Sequence, residues 1–567
     1  MLISLLLLIT LNVASSRASN PCIVQLNSNS TGVGILNETF TGNEHCVFLG
    51  VRYALPPTGV RRFQNPELYF PSGPQNYTTF GSICPQWDDM NHWGKLLGNE
   101  DCLFLNIYVP QAGGDSTQVQ QRPRYPVLVY VHGGSFVIGS GRIFATHGVD
   151  LLMDHEVVVV AINYRLSALG FLRIPEWNVV GNFGLKDQRV ALQWIQQNIA
   201  AFGGDPECVT LLGHSAGAAA AAHHLYSTGS RGLFHRLILM GGSNLVPFGL
   251  RYAQESNVTE KVMSAFNVTS LEELQQIDYR EFHKKYIFEH VPFMNQYSPY
   301  FIQPVDEGSE GSEAFIPRPP HELVKQKPAM QVPILMGLTA TEFEKILYYR
   351  DQFLLGRNFP SNDGDDQIKE AMIHKVVTQR LKNATNPAAV IEKLTNMANV
   401  YYPTKRLLRH LVDFQGDLPV CYYRFEFDGR FGYCKYEYSK ALVRERFYGA
   451  IHGDDLAYVF SPYIVRQALA NRTEFRKEWK VHERVVELVS NFVKFGNPTP
   501  QDGINVKWPA YNSDGSRPLY LNIDDELEVR VENDERDEYY RLWELTYQCL
   551  YYNECKSIEL LANNGND

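Results

Sequence analysis

Short, uninterrupted apolar runs rich in β-branched residues recur along the chain, most of them leading into a Gly-containing turn. They are Val127-Leu128-Val129-Tyr130-Val131, Val157 to Ile162, Val209 to Leu212, Leu237 to Met240 and Ile334-Leu335-Met336. A strand with one wet face alternates apolar and polar residues; these runs do not, so both of their faces are covered. Between them lie helical spacings such as Leu185 to Ala201, with Ala191-Leu192, Trp194-Ile195 and Ile199 on one side. Strand, helix, strand alternation predicts an α/β domain built on a large, mostly parallel sheet flanked by helices. The polar stretches Gln111 to Tyr125 and Asp351 to Gln367 read as long surface-loop insertions. No repeat, low-complexity tract or linker divides the chain, so one domain over residues 19–567 is expected.

The first apolar run is of another kind. Leu2 to Leu11 falls short of the roughly 20 residues that span a bilayer, and small residues follow it. It reads as a secretory signal over residues 1–18, cleaved after Ser16 or Ala18, although no Lys or Arg precedes it. A buried N-terminal strand is the competing reading. Composition then removes whole classes. With 44% hydrophobic and 20% charged residues among 567, a disordered chain is excluded. Fifty-two basic against 62 acidic residues leave a net charge of −10, which repels polyphosphate and argues against nucleic acid as a ligand. No later run is long enough to cross a membrane, and no anchor tail closes the chain.

Two features support export. Seven N-x-[ST] sites occur, at Asn29, Asn37, Asn76, Asn257, Asn267, Asn383 and Asn471, where chance gives about four. The nine cysteines fall into sequence neighbours, Cys22/Cys46, Cys84/Cys102, Cys421/Cys434 and Cys549/Cys555, with Cys208 left over. Short loops of this kind suit an oxidising compartment. No C-x-x-C occurs, so neither a zinc ribbon nor a redox dithiol is expected, and no cofactor is implied.

The chemistry-bearing residues follow two of the apolar runs. Val209 to Ala221 reads V-T-L-L-G-H-S-A-G-A-A-A-A. A G-x-S-x-G pattern alone is weak, but here an apolar strand leads into it and an Ala-rich helix leaves it. Gly213 and Gly217 give room for a sharp turn that exposes Ser215, and the helix start aims free N–H groups at it. The competing reading is a tight strand-to-helix turn that merely needs small residues. The second element is Val131-His132-Gly133-Gly134-Ser135. Paired glycines let backbone N–H groups approach an oxyanion, so Gly133, Gly134 and the amide of Ala216 are the candidate oxyanion hole. A plain Gly-rich turn is the alternative.

With these motifs in view the chain resembles the type-B carboxylesterase/cholinesterase family of the α/β-hydrolase fold. Further matching segments are Glu100-Asp101-Cys102-Leu103-Phe104-Leu105-Asn106, Phe202-Gly203-Gly204-Asp205-Pro206 and Gly449-Ala450-Ile451-His452-Gly453-Asp454-Asp455-Leu456. Weaker matches run from Gly50-Val51-Arg52-Tyr53-Ala54 to Trp508-Pro509-Ala510-Tyr511, so the resemblance covers nearly the whole mature chain. It implies a catalytic triad of Ser215, Glu342 and His452. Glu342 stands in Gly337-Leu338-Thr339-Ala340-Thr341-Glu342-Phe343, where Phe343 replaces the family's usual glycine and Glu344 follows closely. Ligation of a metal by His452, Asp454 and Asp455 finds no second cluster with ligand spacing to support it.

The resemblance also implies ion pairs Arg62–Glu100 and Arg165–Asp187, a disulfide Cys84–Cys102, and an acyl-pocket aromatic at Phe248. Two departures lie near the nucleophile: His214 stands where many relatives carry glutamate, and Gly241 where many carry serine. His214 either tunes His452 or fills space, and Gly241 leaves a gap. Loss of an acidic group there argues against choline esters, and Trp87 and Trp93 are out of register with the cholinesterase aromatics. The acidic run Asp524-Asp525-Glu526 reads as a solvated face. The reading is a secreted serine hydrolase of small, uncharged carboxylic esters, acting through an acyl-enzyme on Ser215. A non-catalytic esterase-like adhesion protein is the alternative.

Overall fold

In the computed structural model, alternate residues of the central strands pack against different helices. The structure describes residues 22–563 apart from 88–94, 112–123, 143–146, 251–257, 282–302, 309–313, 343–363, 433, 436–447, 463–464, 466–467, 469–470, 501–503 and 513–516. One sheet of 11 strands dominates. In chain order these are β1 (Ile35–Glu38), β2 (Glu44–Arg52), β3 (Phe104–Pro110), β4 (Tyr125–Val131), β5 (Val158–Ile162) and β6 (Gly204–His214). They continue as β7 (Arg236–Met240), β8 (Ile334–Thr339), β9 (Val420–Phe425), β10 (Leu519–Ile523) and β11 (Leu527–Val531). The spatial order is β11-β10-β9-β8-β7-β6-β4-β5-β3-β2-β1.

From β5 across to β10 every pairing is parallel. The margins β1, β2, β3 and β11 pair antiparallel. All five apolar runs are strands of the parallel part, and the predicted helix is α1 (Phe183–Asn198), extended by a tight turn over Ile199–Phe202. Val127, Val129 and Val131 share a cluster with Leu192 and Ile195 of α1 and the alanines of α2 (Ala216–Tyr226). Leu128 and Tyr130 face the other way, into a cluster with Val485 and Val489 of a later helix, Arg476–Phe495. That alternation explains why the strands are apolar on both faces. Chain order reverses at β4: β5 lies on one side of it and β6 on the other, which opens a crevice at the carboxyl ends of these strands.

Both implied ion pairs form inside the domain. Arg62 grips Glu100 with two hydrogen bonds of 2.6 and 2.7 Å, and Arg165 grips Asp187 with bonds of 2.8 and 2.7 Å. The acidic run is paired on the surface, with Lys477 on Asp525 and with Lys480 and Arg484 on Glu526. The expected loop to Gln367 ends sooner, because a helix starts at Gly364 (Gly364–Asn383).

Three of the four sequence-neighbour cysteine pairs are disulfides: Cys22–Cys46, Cys84–Cys102 and Cys549–Cys555. Cys208, Cys421 and Cys434 form no disulfide, so the expected Cys421–Cys434 bridge is corrected. Cys421 sits near the start of β9, buried against the helix side of the sheet with Tyr423 and Phe425. Cys434 lies past the other end of the strand, with its Sγ 2.7 Å from where a Cβ on Gly453 would be. Four strand steps alone cover about 13 Å, whereas a bridge needs Cα atoms within about 7 Å.

Candidate active site

β6 stops at His214, and Ser215 takes φ 57° and ψ −122° before α2 begins at Ala216. Such a backbone is strained for a residue with a side chain, and it persists only where its surroundings hold it. Here the Ser215 N–H donates to the Met240 carbonyl of β7 at 2.9 Å, and the Ser215 carbonyl accepts from Ala219 at 3.0 Å. The flanking glycines are required. A Cβ on Gly213 would lie 2.1 Å from the Gly217 oxygen, and one on Gly217 would lie 2.2 Å from the Val131 oxygen. Every residue of α2 is buried, and five consecutive alanines, Ala218 to Ala222, keep it close to the sheet.

The loop after β4 closes on this turn. A Cβ on Gly133 would stand 2.7 Å from the His214 oxygen and 2.9 Å from the Ser215 Cβ, and Gly134 has φ 99°. Among the described residues no backbone carbonyl accepts from the N–H of Gly133, Gly134 or Ala216. Several side chains that the sequence did not single out hold the loop. Gln86 clamps Gly139 through two bonds of 2.8 Å, and the Tyr164 hydroxyl donates to the His132 carbonyl at 2.9 Å. His132 stacks on Tyr164 with centroids 4.4 Å apart, and burial pushes its imidazole down to about 4. Asn106 and Asn163 each bond Gly141. The one sequence hint for Gln86 is its place two residues past Cys84, inside the loop that the disulfide closes.

Glu342 follows β8 by three residues and is fully buried. Its Oε1 accepts from the Thr339 N–H at 2.7 Å, and its Oε2 lies 2.5 Å from His452 Nδ1. The two loops are also tied by backbone: His452 N–H donates to the Glu342 carbonyl at 3.0 Å, and Thr341 N–H to that of Ala450 at 3.0 Å. Burial pushes Glu342 up to about 7, against the Thr339 hydrogen bonds, and pushes His452 down to about 3. The resting imidazole is therefore neutral and able to take a proton.

Gly241 and Gly242, at the end of β7, join this pair to the serine turn. A Cβ on Gly241 would lie 3.0 Å from His452 Cε1, and one on Gly242 would lie 2.6 Å from the Ser215 carbonyl oxygen. Gly241 therefore leaves no gap: a side chain there would press on His452 and Glu342, and its φ of 60° favours glycine. The rings of His214 and His452 are 4.9 Å apart. Gly241 and Gly242 thus set the Glu342–His452 pair and the Ser215 turn side by side at the carboxyl edge of β6, β7 and β8. Phe343, Glu344 and Trp93 lie outside the described residues. Phe248 is buried in a short turn, Pro247–Gly249, that packs against α2.

The carboxylates near His452 are engaged in its loop. Asp454 accepts from the Ile451 N–H at 3.0 Å and pairs with Lys435 at 3.3 Å, while Asp455 accepts from the Tyr423 hydroxyl at 2.7 Å. No metal-binding group of three or more His, Cys, Asp or Glu occurs among the described residues. Of the N-x-[ST] asparagines, Asn29, Asn76, Asn267, Asn383 and Asn471 are exposed and Asn37 is half-buried. Asn257 lies outside the described residues.

A sequence model of the carboxylesterase family matches residues 23–543, almost the whole described chain. The chain belongs to the carboxylesterase family. Its relatives include carboxylesterase 4A of Bos taurus, 29% identical over 88% of this chain and 91% of the relative. Esterase E4 of Myzus persicae is 30% identical over 86% and 88%. Juvenile hormone esterase of Heliothis virescens is 28% identical over 83% and 85%. Within the carboxylesterase family this chain is a carboxylic ester hydrolase. No described helix is long and apolar enough to cross a membrane.

Proposed function

We propose that this carboxylesterase is a secreted serine hydrolase that cleaves uncharged carboxylic esters through an acyl-enzyme on Ser215. The observation that carries the reading is the joint placement of a strained Ser215 at a helix start and a Glu342–His452 contact of 2.5 Å across Gly241. Ser215 Oγ attacks the ester carbonyl carbon while His452 takes its proton. The carbonyl oxygen becomes an oxyanion held by the N–H groups of Gly133, Gly134 and Ala216; one such donor typically contributes about 3–4 kcal/mol to the transition state. Collapse expels the alcohol, protonated by His452, and water then attacks the acyl-enzyme with His452 again acting as base. Glu342 fixes the imidazole tautomer and offsets the charge it gains. Phe248 forms part of the acyl wall.

Three disulfides and the exposed N-x-[ST] sites support an extracellular destination. His214 in place of an acidic residue beside the nucleophile supports an uncharged substrate. A tetrahedral phosphorus inhibitor mimics the intermediate, so mass spectrometry should find the adduct on the Ser215 peptide. No adduct at inhibitor excess, or an adduct elsewhere, would remove Ser215 as the nucleophile.

A further inference from the structure

Paired glycines let the loop after β4 come close to the proposed oxyanion, but they leave its peptides free to turn. The direction of each N–H is fixed by the carbonyl of the same peptide, because a trans peptide points the two in opposite directions. Among the described residues no peptide is cis. The Gly133 N–H shares its peptide with the His132 carbonyl. That carbonyl accepts from the Tyr164 hydroxyl at 2.9 Å, and its oxygen lies 2.7 Å from where a Cβ on Gly217 of α2 would be. The Gly134 N–H shares its peptide with the Gly133 carbonyl, which accepts from His132 Nδ1 at 2.8 Å. A carbonyl only accepts, so the neutral imidazole carries its proton on Nδ1. Gly139, clamped by Gln86, packs on both groups: a Cβ there would lie 2.2 Å from His132 Nδ1 and 2.7 Å from the Gly133 oxygen.

Tyr164 reaches both peptides. Its hydroxyl holds one carbonyl, and its ring stacks on the imidazole that holds the other, with centroids 4.4 Å apart. Its own mount is rigid, because both sequence neighbours are tied down. Asn163 donates to the Ser82 and Cys102 carbonyls at 3.0 Å, and the Arg165 N–H and guanidinium both bond Asp187. Tyr164 is fully buried, and burial pushes its phenol well above the usual range, so it stays a neutral donor. We propose that Tyr164 is a positioning residue that aims the Gly133 and Gly134 N–H groups at the oxyanion, through the His132 carbonyl and ring. The proposal rests on the acyl-enzyme reading above, and Tyr164 itself touches no reacting atom. Without its hydroxyl, the His132–Gly133 peptide is free to rotate at Gly133, which swings the N–H off the line to the oxyanion.

Tyr164→Phe in the full-length protein keeps the ring and its stack on His132 and removes only the hydroxyl. Both halves of the proposed reaction pass through an oxyanion, so kcat and not KM should carry the loss. Removing a donor outright costs about 10²- to 10³-fold, so a donor knocked off line should cost roughly 10- to 100-fold in kcat, with KM within about twofold of the parent. A trifluoromethyl ketone adds to Ser215 as a tetrahedral anion, and its affinity should fall by the same factor. Tyr401→Phe is the control: it removes a buried hydroxyl that donates to Asp534 at 2.9 Å and not to the oxyanion loop, and it should keep kcat. If Tyr164→Phe unfolds at lower urea but keeps kcat, its hydroxyl is structural only and the proposal fails. If kcat falls while the ketone binds as it does to the parent, the loss lies outside the oxyanion hole and the proposal fails again. If the parent itself forms no ketone adduct on Ser215, the acyl-enzyme reading fails and takes this proposal with it.

Discussion

The Glu342 carboxylate answers two opposed demands. Burial favours its neutral form, while the imidazolium that His452 becomes in the proposed mechanism needs a negative partner. With Glu342 pushed up to about 7 and His452 pushed down to about 3, proton loss from the pair on raising pH is governed by the carboxyl end. The proposed mechanism requires Glu342 ionised and His452 neutral. We therefore expect kcat/KM to rise with pH through an apparent pKa near 7 and to level above it. An acid limb centred below 5 would contradict a buried acid. Glu342→Gln should lower kcat by about 10³- to 10⁴-fold with KM little changed, and Glu344→Gln by less than about tenfold. If Glu344→Gln is the crippled variant, the acid has been misassigned. The strand Ile334-Leu335-Met336 six residues earlier fits Glu342 at the sheet's carboxyl edge, but only the family resemblance pointed to the role proposed for it. The turn at Ser215 was legible locally, because the glycines that permit it stand beside the serine.

At the scale of elements, the strand–serine–helix turn depends on close backbone contact. Gly213→Ala would set a methyl 2.1 Å from the Gly217 oxygen, and a backbone atom yields less readily than a side-chain tip. We expect a cost of about 1–3 kcal/mol in urea unfolding and a much larger relative loss in kcat, since the turn carries the proposed nucleophile. Unchanged activity would mean that the turn tolerates more space than this packing allows. The parallel strands were legible for a related reason: burial on both faces leaves a continuous apolar run such as Val158–Ile162. The antiparallel margins were not read. β1, β2 and β11 each have exposed positions, and β11 in particular interleaves Glu528 and Arg530 with its apolar residues. Cysteine pairing failed once for a geometric reason, since neighbours in sequence can stand at opposite ends of a strand. A non-reducing peptide map should join Cys84 to Cys102 and leave Cys208, Cys421 and Cys434 alkylatable after unfolding. Loss of the Cys84–Cys102 bridge should cost about 3 kcal/mol and loosen the Gln86 clamp on the oxyanion loop.

At the scale of the whole molecule, the last sheet edge is fastened to the body by a buried charge cluster. Lys405 lies in the helix Tyr402–Gln415 and is fully buried. It pairs with Glu532, just past β11, and lies 3.7 Å from Asp534. Its ammonium also stands 3.9 Å from the centre of the Tyr422 ring in β9, and the Tyr401 hydroxyl donates to Asp534 at 2.9 Å. Burial alone would raise Glu532, but Lys405 beside it holds the carboxyl down to about 2. Burial, then the neighbouring Glu532, pushes Asp534 up to about 7. The Lys405 ammonium therefore lies between two carboxyls whose acidities are pushed in opposite directions. Lys405→Met keeps an unbranched side chain and removes the ammonium that lies between the two buried carboxyls. Breaking such a pair from one side costs about 3–5 kcal/mol, whereas replacing both partners by neutral groups is often close to neutral. We expect Lys405→Met to lower stability by that amount in urea unfolding at pH 7, and Lys405→Met with Glu532→Gln to recover most of it. The sign with pH is fixed. Without the cation the folded-state pKa of Glu532 rises above its unfolded value, so the penalty grows as pH rises and shrinks on acidification. If Lys405→Met costs under about 1 kcal/mol, or if the double variant is no better than the single, the cluster is a solvated edge and not the fastening of β10 and β11.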